Sequence, residues 1–345
     1  MKVSIILPIR NEQQFISNTL NSIIDQNFNG ELEILIADGM SDDGTVEILK
    51  QFEKKNQNIK IIDNIDRIVP IGFNKALTVA KGNVIIRLDG HATIAQNFIA
   101  NCISLLDEKS VHCVGGPTDH YSNTIIGDSI SKAQSSIFGA GGASFRTGIR
   151  NGRFVNTLAF GAYKRDVFSN IGGYDEELVR NQDEELNYRL IQNGGKIWID
   201  PSIKSTYYVR DSIIKLFKQY FYYGFFKIRV IQKVKALISW RHLVPASFVI
   251  AISISIYLSY FYKINSPGIF LLVLYFSASI ISSINRSIIK NYKRFLLLPL
   301  IYFSMHVAYG VGFIIGVLYF INKWGKNPLA DNHFDNQIFD QNSNV

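Results

Sequence analysis

A chain of 345 residues has room for one large domain or two of average size. Its 47% hydrophobic and 19% charged residues exclude a disordered chain and argue against a globule that lives wholly in water. The net charge of +8 is unevenly placed: residues 212–330 hold 14 Lys or Arg and no Asp or Glu, whereas residues 1–211 hold 25 acids and 22 bases. That division argues against a nucleic-acid protein and for a near-neutral domain tied to an anionic membrane surface. Cys102 and Cys113 supply neither a disulfide framework nor metal-type spacing, and read as reduced thiols.

The chain opens with a strand pattern, Val3–Leu7, closed by Pro8. It is too short for a secretory leader, so the N-terminal domain is expected in the cytoplasm. Ile16, Leu20, Ile23 and Ile24 share one helical face. Glu33–Ala37 reads as a strand, Thr45–Glu53 as a helix and Ile59–Ile62 as a third strand. Ile71–Ala80 reads as a helix with a C-cap at Gly82, and Val84–Leu88 as a fourth strand. This alternation predicts a mostly parallel sheet with helices on both faces, whose ligands bind beyond the carboxyl ends of its strands. Pro8-Ile9-Arg10-Asn11-Glu12, Asp38-Gly39 and Asp89-Gly90-His91 all follow strand ends, so three polar clusters are expected at one sheet edge. Glycines at 139, 141, 142, 148 and 152, with Arg146, Arg150 and Arg153, predict a mobile loop over that edge or a plain surface loop. Strand, helix and strand resume over 157–200.

After Asp211 the character changes. Ile213, Ile214, Phe217, Phe221 and Phe225 alternate with Lys215, Lys218, Lys227, Arg229, Lys233 and Lys235, the pattern of a basic interfacial helix. Leu243–Tyr262, Ile264–Asn285 and Phe295–Asn322 are each long and apolar enough to cross a bilayer core of about 30 Å. In the third, Pro299, Gly310, Gly312 and Gly316 predict a tilt, a kink or a re-entrant turn, and His306 reads as a hydrogen bond between helices. The positive-inside rule puts the basic stretch and the Arg286–Arg294 loop in the cytoplasm. The expected divisions are 1–210, an α/β catalytic domain; 211–241, the interfacial helix; 243–322, about three transmembrane spans; and 323–345, an acidic tail.

Asp89 and His91, at i and i+2 around a glycine, can turn toward one divalent cation, and the softer His suits Mn²⁺ at least as well as Mg²⁺. Asp38 can accept hydrogen bonds from a base edge, whereas Asp42 and Asp43 read as helix-start acids. Asn181 and Glu184 have capping-box spacing, which puts Asp183 in a first helical turn as an ionised acid able to act as a base.

With these motifs in order, the chain resembles the inverting family-2 glycosyltransferases of the GT-A fold, a Rossmann-like, mostly parallel sheet. The motifs are Val3–Glu12, Asp38–Thr45, Arg87–Ala92, and Ile171–Glu176 followed by Gln182–Leu186. Arg180–Arg189, Tyr208–Ser212, Gln219–Gly224 and Arg241–Pro245 resemble the succinoglycan-biosynthesis branch. The resemblance spans roughly residues 1–320. It implies that Pro8, Arg10, Glu12 and Asp38 hold the uridine and ribose, that Asp89 and His91 are the metal and diphosphate pair, and that Asp183 is the general base. Arg210 is a candidate to neutralise the leaving diphosphate. Gln182 stands where the family has Glu, and His91 where it has a second Asp. No Gln-x-x-Arg-Trp motif follows the base, which favours transfer of one sugar per acceptor over a processive polysaccharide synthase. A non-catalytic membrane scaffold is the other alternative. The expected enzyme is a multi-pass protein of the inner (plasma) membrane. It moves one sugar from a nucleotide sugar, UDP-linked, to a polyprenyl-diphosphate-linked saccharide in extracellular or capsular polysaccharide synthesis, with membrane lipid as its surroundings.

Overall fold

The structure is a computed structural model that describes residues 1–209, 211–235, 239–284 and 292–324, without the side chains of 292–294. Arg210, most of the Arg286–Arg294 loop and the acidic tail from 325 on lie outside the described residues. In chain order the elements begin β1 (Lys2–Ile9), α1 (Ile16–Ile24), β2 (Glu31–Asp38), α2 (Thr45–Lys55), β3 (Ile59–Asp63), α3 (Val69–Val79) and β4 (Val84–Arg87). There follow β5 (Ala92–Ile94), α4 (Phe98–Glu108), β6 (Cys113–Gly115), β7 (Thr118–Tyr121), α5 (Ile125–Gln134), α6 (Ile137–Ala140) and α7 (Ser144–Thr147). Then come β8 (Arg153–Phe154), β9 (Ala162–Lys164), α8 (Arg165–Ile171), α9 (Gln182–Gln192), β10 (Ile197–Ile199) and β11 (Ser205–Tyr208). Four long helices close the described chain: α10 (Ile213–Val234), α11 (Val244–Tyr262), α12 (Ser266–Ser283) and α13 (Tyr292–Tyr319). The chain divides into two compact units, residues 1–119 with 148–208, and residues 120–147 with the described residues from 209 on.

In the first unit an eight-stranded sheet runs β3-β2-β1-β4-β9-β6-β10-β8. Its first four strands are parallel, because a helix crosses over between each of them. The β1–β4 runs are apolar at nearly every position, and the period of two sends alternate residues to opposite faces. Val3, Ile5 and Leu7 pack with Leu20, Leu49 and Phe98 on one face. Ile6, Leu35 and Ile85 pack with Phe73, Phe168 and Leu186 on the other. Each such fully buried side chain contributes about 1.5–3 kcal/mol. Ile9 pairs with Asp38, and Asp38 with Asp63, so the carboxyl ends of β1, β2 and β3 finish level. β5 and β11 pair antiparallel beside this edge, Tyr207 opposite Ala92. Cys102 and Cys113 are buried free thiols.

Gly82 is not the expected C-cap. The cap of α3 is Ala80, in extended backbone. Gly82 instead donates its N–H to Ser4 Oγ at 2.7 Å, and a Cβ on it would run into Ser4. The glycine is there for close approach to β1.

In the second unit, three helices are long and apolar enough to cross a membrane: Trp240–Tyr262, Ser266–Ser283 and Phe295–Tyr319. α13 stays one helix of 28 residues, about 42 Å long, with Pro299 inside it. A Cβ on Gly312 or Gly316 would meet the carbonyl of Phe221 or Phe225 in α10, and one on Gly224 would meet Tyr309 of α13. Small residues thus let the two backbones touch. Along α10, Lys215, Lys218 and Lys235 are exposed, whereas Lys227, Arg229 and Lys233 are buried. His306 bridges elements as expected: Nδ1 lies 2.8 Å from the Tyr275 hydroxyl of α12, and Nε2 lies 3.0 Å from the Phe138 carbonyl of α6. The glycine-rich stretch is therefore no free loop up to Thr147. It forms α6 and α7, and Arg241 donates to the Gly141 carbonyl.

Candidate active site

Two loops, after β1 and after β2, are tied into one ledge. Asn11 turns at φ 57°, and its N–H donates to Ser41 Oγ at 2.9 Å. Its amide exchanges hydrogen bonds with Asp42, Nδ2 donating to Oδ1 at 2.8 Å and Oδ1 accepting from the Asp42 N–H at 3.0 Å. Asp43 accepts from Gln13 N–H at 3.2 Å and from the Thr45 N–H and hydroxyl at 3.0 and 2.5 Å. Partial burial works against its charge, yet these hydrogen bonds hold the Asp43 carboxyl below its ordinary value. Asp42 and Asp43 are thus structural, though the α2 N-cap itself is Gly44. Asp38 is 5% exposed, and both its oxygens accept from Ser41, Oδ2 from the N–H at 2.9 Å and Oδ1 from the hydroxyl at 2.5 Å. Pro8 is buried in β1, and Arg10 is exposed beside Gly39, where a Cβ would crowd it at 3.2 Å.

Beyond β4 the chain places Asp89, Gly90 and His91. Glu12 comes back from the first loop to meet His91, Oε1 to Nδ1 at 2.8 Å, both side chains buried. A Cβ on Gly90 would stand 2.8 Å from Glu12 Cγ and Ile9 Cγ2, so the glycine makes room for that meeting. Asp89 is held by Arg87, Nη2 to Oδ1 at 2.5 Å. Arg87 is buried and lies 5.8 Å over the Phe160 ring. Burial opposes its charge, but Asp89, Tyr174, Asp183 and Tyr163 together hold the guanidinium above its ordinary pKa.

Asp183 lies in the first turn of α9. The Asn181 side chain does not make the expected cap: Asn181 sits at φ 63°, and its side chain makes no capping hydrogen bond to α9. Asp183 Oδ1 instead accepts the Glu184 N–H at 2.9 Å. Burial raises the Asp183 carboxyl above its ordinary value, the Arg87 charge pulls it down, and Glu184 and Asp89 add to the rise. Such a carboxylate is a stronger base than a free Asp once it is ionised. Its helix is anchored by Arg189, which makes a two-pronged ion pair with Glu185 at 2.8 Å per contact. Arg189 also donates to the carbonyls of Gly173, at 2.8 Å, and Ile171. Asn74 fixes the same loop through the Tyr174 N–H and carbonyl at 2.8 and 2.9 Å. Gln182, at the family's Glu position, is buried, and its Oε1 has no hydrogen-bond partner among the described residues.

Arg87, Tyr174 and Arg189 are the members of this cluster that the motifs did not single out. An arginine closing an apolar strand is the signal by which Arg87 is recognisable. Arg210 lies outside the described residues.

A divalent cation fits the donor set. A carboxylate only accepts, so His91 Nδ1 is the donor to Glu12, and in that neutral tautomer the ring keeps a lone pair on Nε2. That atom is buried and has no hydrogen-bond partner among the described residues. A ligating His backed by a carboxylate is a recurrent metal-site arrangement. No group of three His, Cys, Asp or Glu is placed for a metal among the described residues, so Asp89 and His91 would share the ion with substrate oxygens.

Residues 4–172 match the family model described as Glycosyl transferase family 2. Over 325 residues, 92% of this chain and 97% of the relative, the sequence is 31% identical to a transferase of Methanococcus voltae. That relative is named dolichyl N-acetyl-alpha-D-glucosaminyl phosphate 3-beta-D-2,3-diacetamido-2,3-dideoxy-beta-D-glucuronosyltransferase. The succinoglycan biosynthesis protein ExoA of Rhizobium meliloti is 29% identical over 248 residues, 70% of this chain and 73% of that one. Among solved structures, the mannosyltransferase PcManGT from Pyrobaculum calidifontis, in complex with GDP-Man and Mn²⁺, shares the fold at a TM-score of 0.59. It covers 89% of this chain and 86% of its own at 16% identity, a likeness of fold alone. On the family model, the near full-length relative and the shared GT-A fold, the chain belongs to glycosyltransferase family 2.

Proposed function

We propose that this glycosyltransferase moves one sugar, with inversion, from a UDP-linked donor to a lipid-linked saccharide at the cytoplasmic face of the plasma membrane, in extracellular or capsular polysaccharide assembly. The observation that carries the reading is the half-buried carboxylate of Asp183 in the first turn of α9, acted on by the charges of Arg87 and Asp89, which are themselves paired at 2.5 Å. Pro8, Arg10 and Asp38 take the nucleoside and ribose, with Glu12 in the same loop. Asp89 and His91 take the diphosphate end, and Arg210 adds positive charge there. Asp183 removes the proton from the acceptor hydroxyl. The oxygen attacks the anomeric carbon on the face opposite the diphosphate, the bond from that carbon to the diphosphate oxygen breaks, and UDP leaves with the electron pair. A Mn²⁺ or Mg²⁺ ion held by Asp89 and His91 would supply charge neutralisation for the leaving diphosphate.

The name of the Methanococcus relative, with its dolichyl phosphate-linked sugar, supports a polyprenyl carrier for the acceptor. The product mass distinguishes one carrier phosphate from the two expected from sequence. The spans and the basic segment before them support an inner-membrane placement with residues 1–210 in the cytoplasm. UDP release by detergent-purified protein, over a panel of UDP-sugars with Mn²⁺ or Mg²⁺ and a membrane lipid extract, tests the reading. Release with one donor, dependent on lipid and adding one sugar to the product, supports it. Release without lipid, or a ladder of products, overturns it.

A further inference from the structure

Glu12 is fixed before its side chain acts. Its N–H donates to Thr45 Oγ1 at 2.9 Å, and its carbonyl accepts the N–H groups of Phe15 and Ile16, both at 2.9 Å, opening α1. The carboxylate is then delivered into a buried place, 7% exposed, against His91, 9% exposed. The His91 backbone is fixed as well: its carbonyl accepts the Tyr208 N–H at 2.9 Å, and the neighbouring Gly90 carbonyl accepts the Thr19 hydroxyl at 2.8 Å. Rings enclose the imidazole, Tyr207 edge-on at 4.7 Å and Phe15 at 6.3 Å between centroids. What sets the ring's hydrogen placement is the 2.8 Å contact to Glu12, and Gly90 is the only residue type that leaves space for it.

We propose that Glu12 works through His91: it is a positioning residue that keeps the hydrogen on Nδ1 and so presents Nε2 as the electron-pair donor to the cation that accompanies the donor's diphosphate, rather than a residue that grips the nucleoside. This rests on the reading of Asp89 and His91 as the diphosphate end of the site. The loop after β1 then has divided labour, with Arg10 exposed at the surface and Glu12 turned inward.

The test is UDP binding to full-length, detergent-purified protein by calorimetry, with and without Mn²⁺, alongside Mn²⁺ binding followed by electron paramagnetic resonance. Neither readout needs an acceptor or turnover, so a failed transfer assay leaves it standing. Without Mn²⁺, Glu12→Leu binds UDP as wild type does. With Mn²⁺, it loses about 10- to 100-fold in metal affinity, the usual cost of removing a ligand's supporting partner. Glu12→Gln, whose amide oxygen still accepts from Nδ1, stays within a few-fold of wild type. His91→Gln reproduces the loss, and the double variant Glu12→Leu/His91→Gln is no worse than His91→Gln alone. Should Glu12→Leu fail to fold, the near-normal metal affinity of Glu12→Gln and the loss in His91→Gln carry the test. The proposal is overturned if Glu12→Leu weakens UDP equally with and without the ion, for then Glu12 holds the nucleoside. It is also overturned if Mn²⁺ binding survives in Glu12→Leu or in His91→Gln.

Discussion

In the sheet unit, side chains from different turns are held in close polar couples: Glu12 with His91, Arg87 with Asp89, and Glu185 with Arg189, at 2.5–2.8 Å. In the helical unit the close approaches are made by glycine, Gly224 against Tyr309 and Gly312 against Phe221, with aromatic rings filling the remainder, as in the stacked pair Phe248 and Tyr275 at 4.5 Å. The difference follows from the solvent each unit is built for. A water-soluble core buries a charged group beside its opposite or under hydrogen bonds, as Asp38 is under Ser41, and such partners fix geometry more than they add stability. Helices read as spanning lipid gain nothing from moving apolar groups together, so they associate by backbone proximity and a few hydrogen bonds.

That contrast can be broken from either side. The largest effect on folding is expected from Arg189→Met, which leaves Glu185 buried without its cation and frees the loop of Gly173 and Tyr174. A loss of about 3–5 kcal/mol is expected in thermal or denaturant melting, and Glu185→Leu in the same chain should restore most of it. Gly312→Leu comes next. Its side chain meets the α10 backbone rather than a movable side chain, so about 1–3 kcal/mol or more is lost in detergent melting. Proton chemistry sharpens the comparison on the soluble side. Asp183 must be ionised to act, and its carboxyl is raised by burial, so kcat/KM should climb with pH through a limb above the ordinary Asp range. A limb at the ordinary value would remove the burial argument. The smallest effect belongs to Tyr275→Phe, which removes the hydrogen bond to His306 and should cost about 0.6 kcal/mol.

The parallel half of the sheet was legible because β1 to β4 are near-continuous apolar runs and their helices carry a clear 3.6-residue period. The short strands β5, β6 and β8, two or three residues each, were not, since no periodicity exists at that length. Gly82 was misread because a glycine after a helix is the same letter whether it caps the helix or admits a neighbouring strand. The missing Asn181 side-chain cap is not legible, because capping-box spacing does not reveal a positive φ at the cap position. Gly139, Gly141 and Gly142 read as a loop because their neighbours, Tyr302 and Arg241, lie far along the chain. At the site, Asp38, Asp89, His91 and Asp183 stood out by following strand ends or opening a helix. The Glu12–His91 contact did not, because a buried pair between residues far apart in the chain leaves no local pattern, and Arg87 showed only as an arginine closing an apolar strand.

The central claim is that Asp183 is the base, and Asp183→Asn tests it most directly. UDP release with the active donor and the lipid extract should fall by about 10²- to 10⁴-fold, while calorimetric UDP affinity stays at the wild-type value. Undiminished release by Asp183→Asn, or a sugar found covalently attached to Asp183 in the wild-type enzyme, would contradict it.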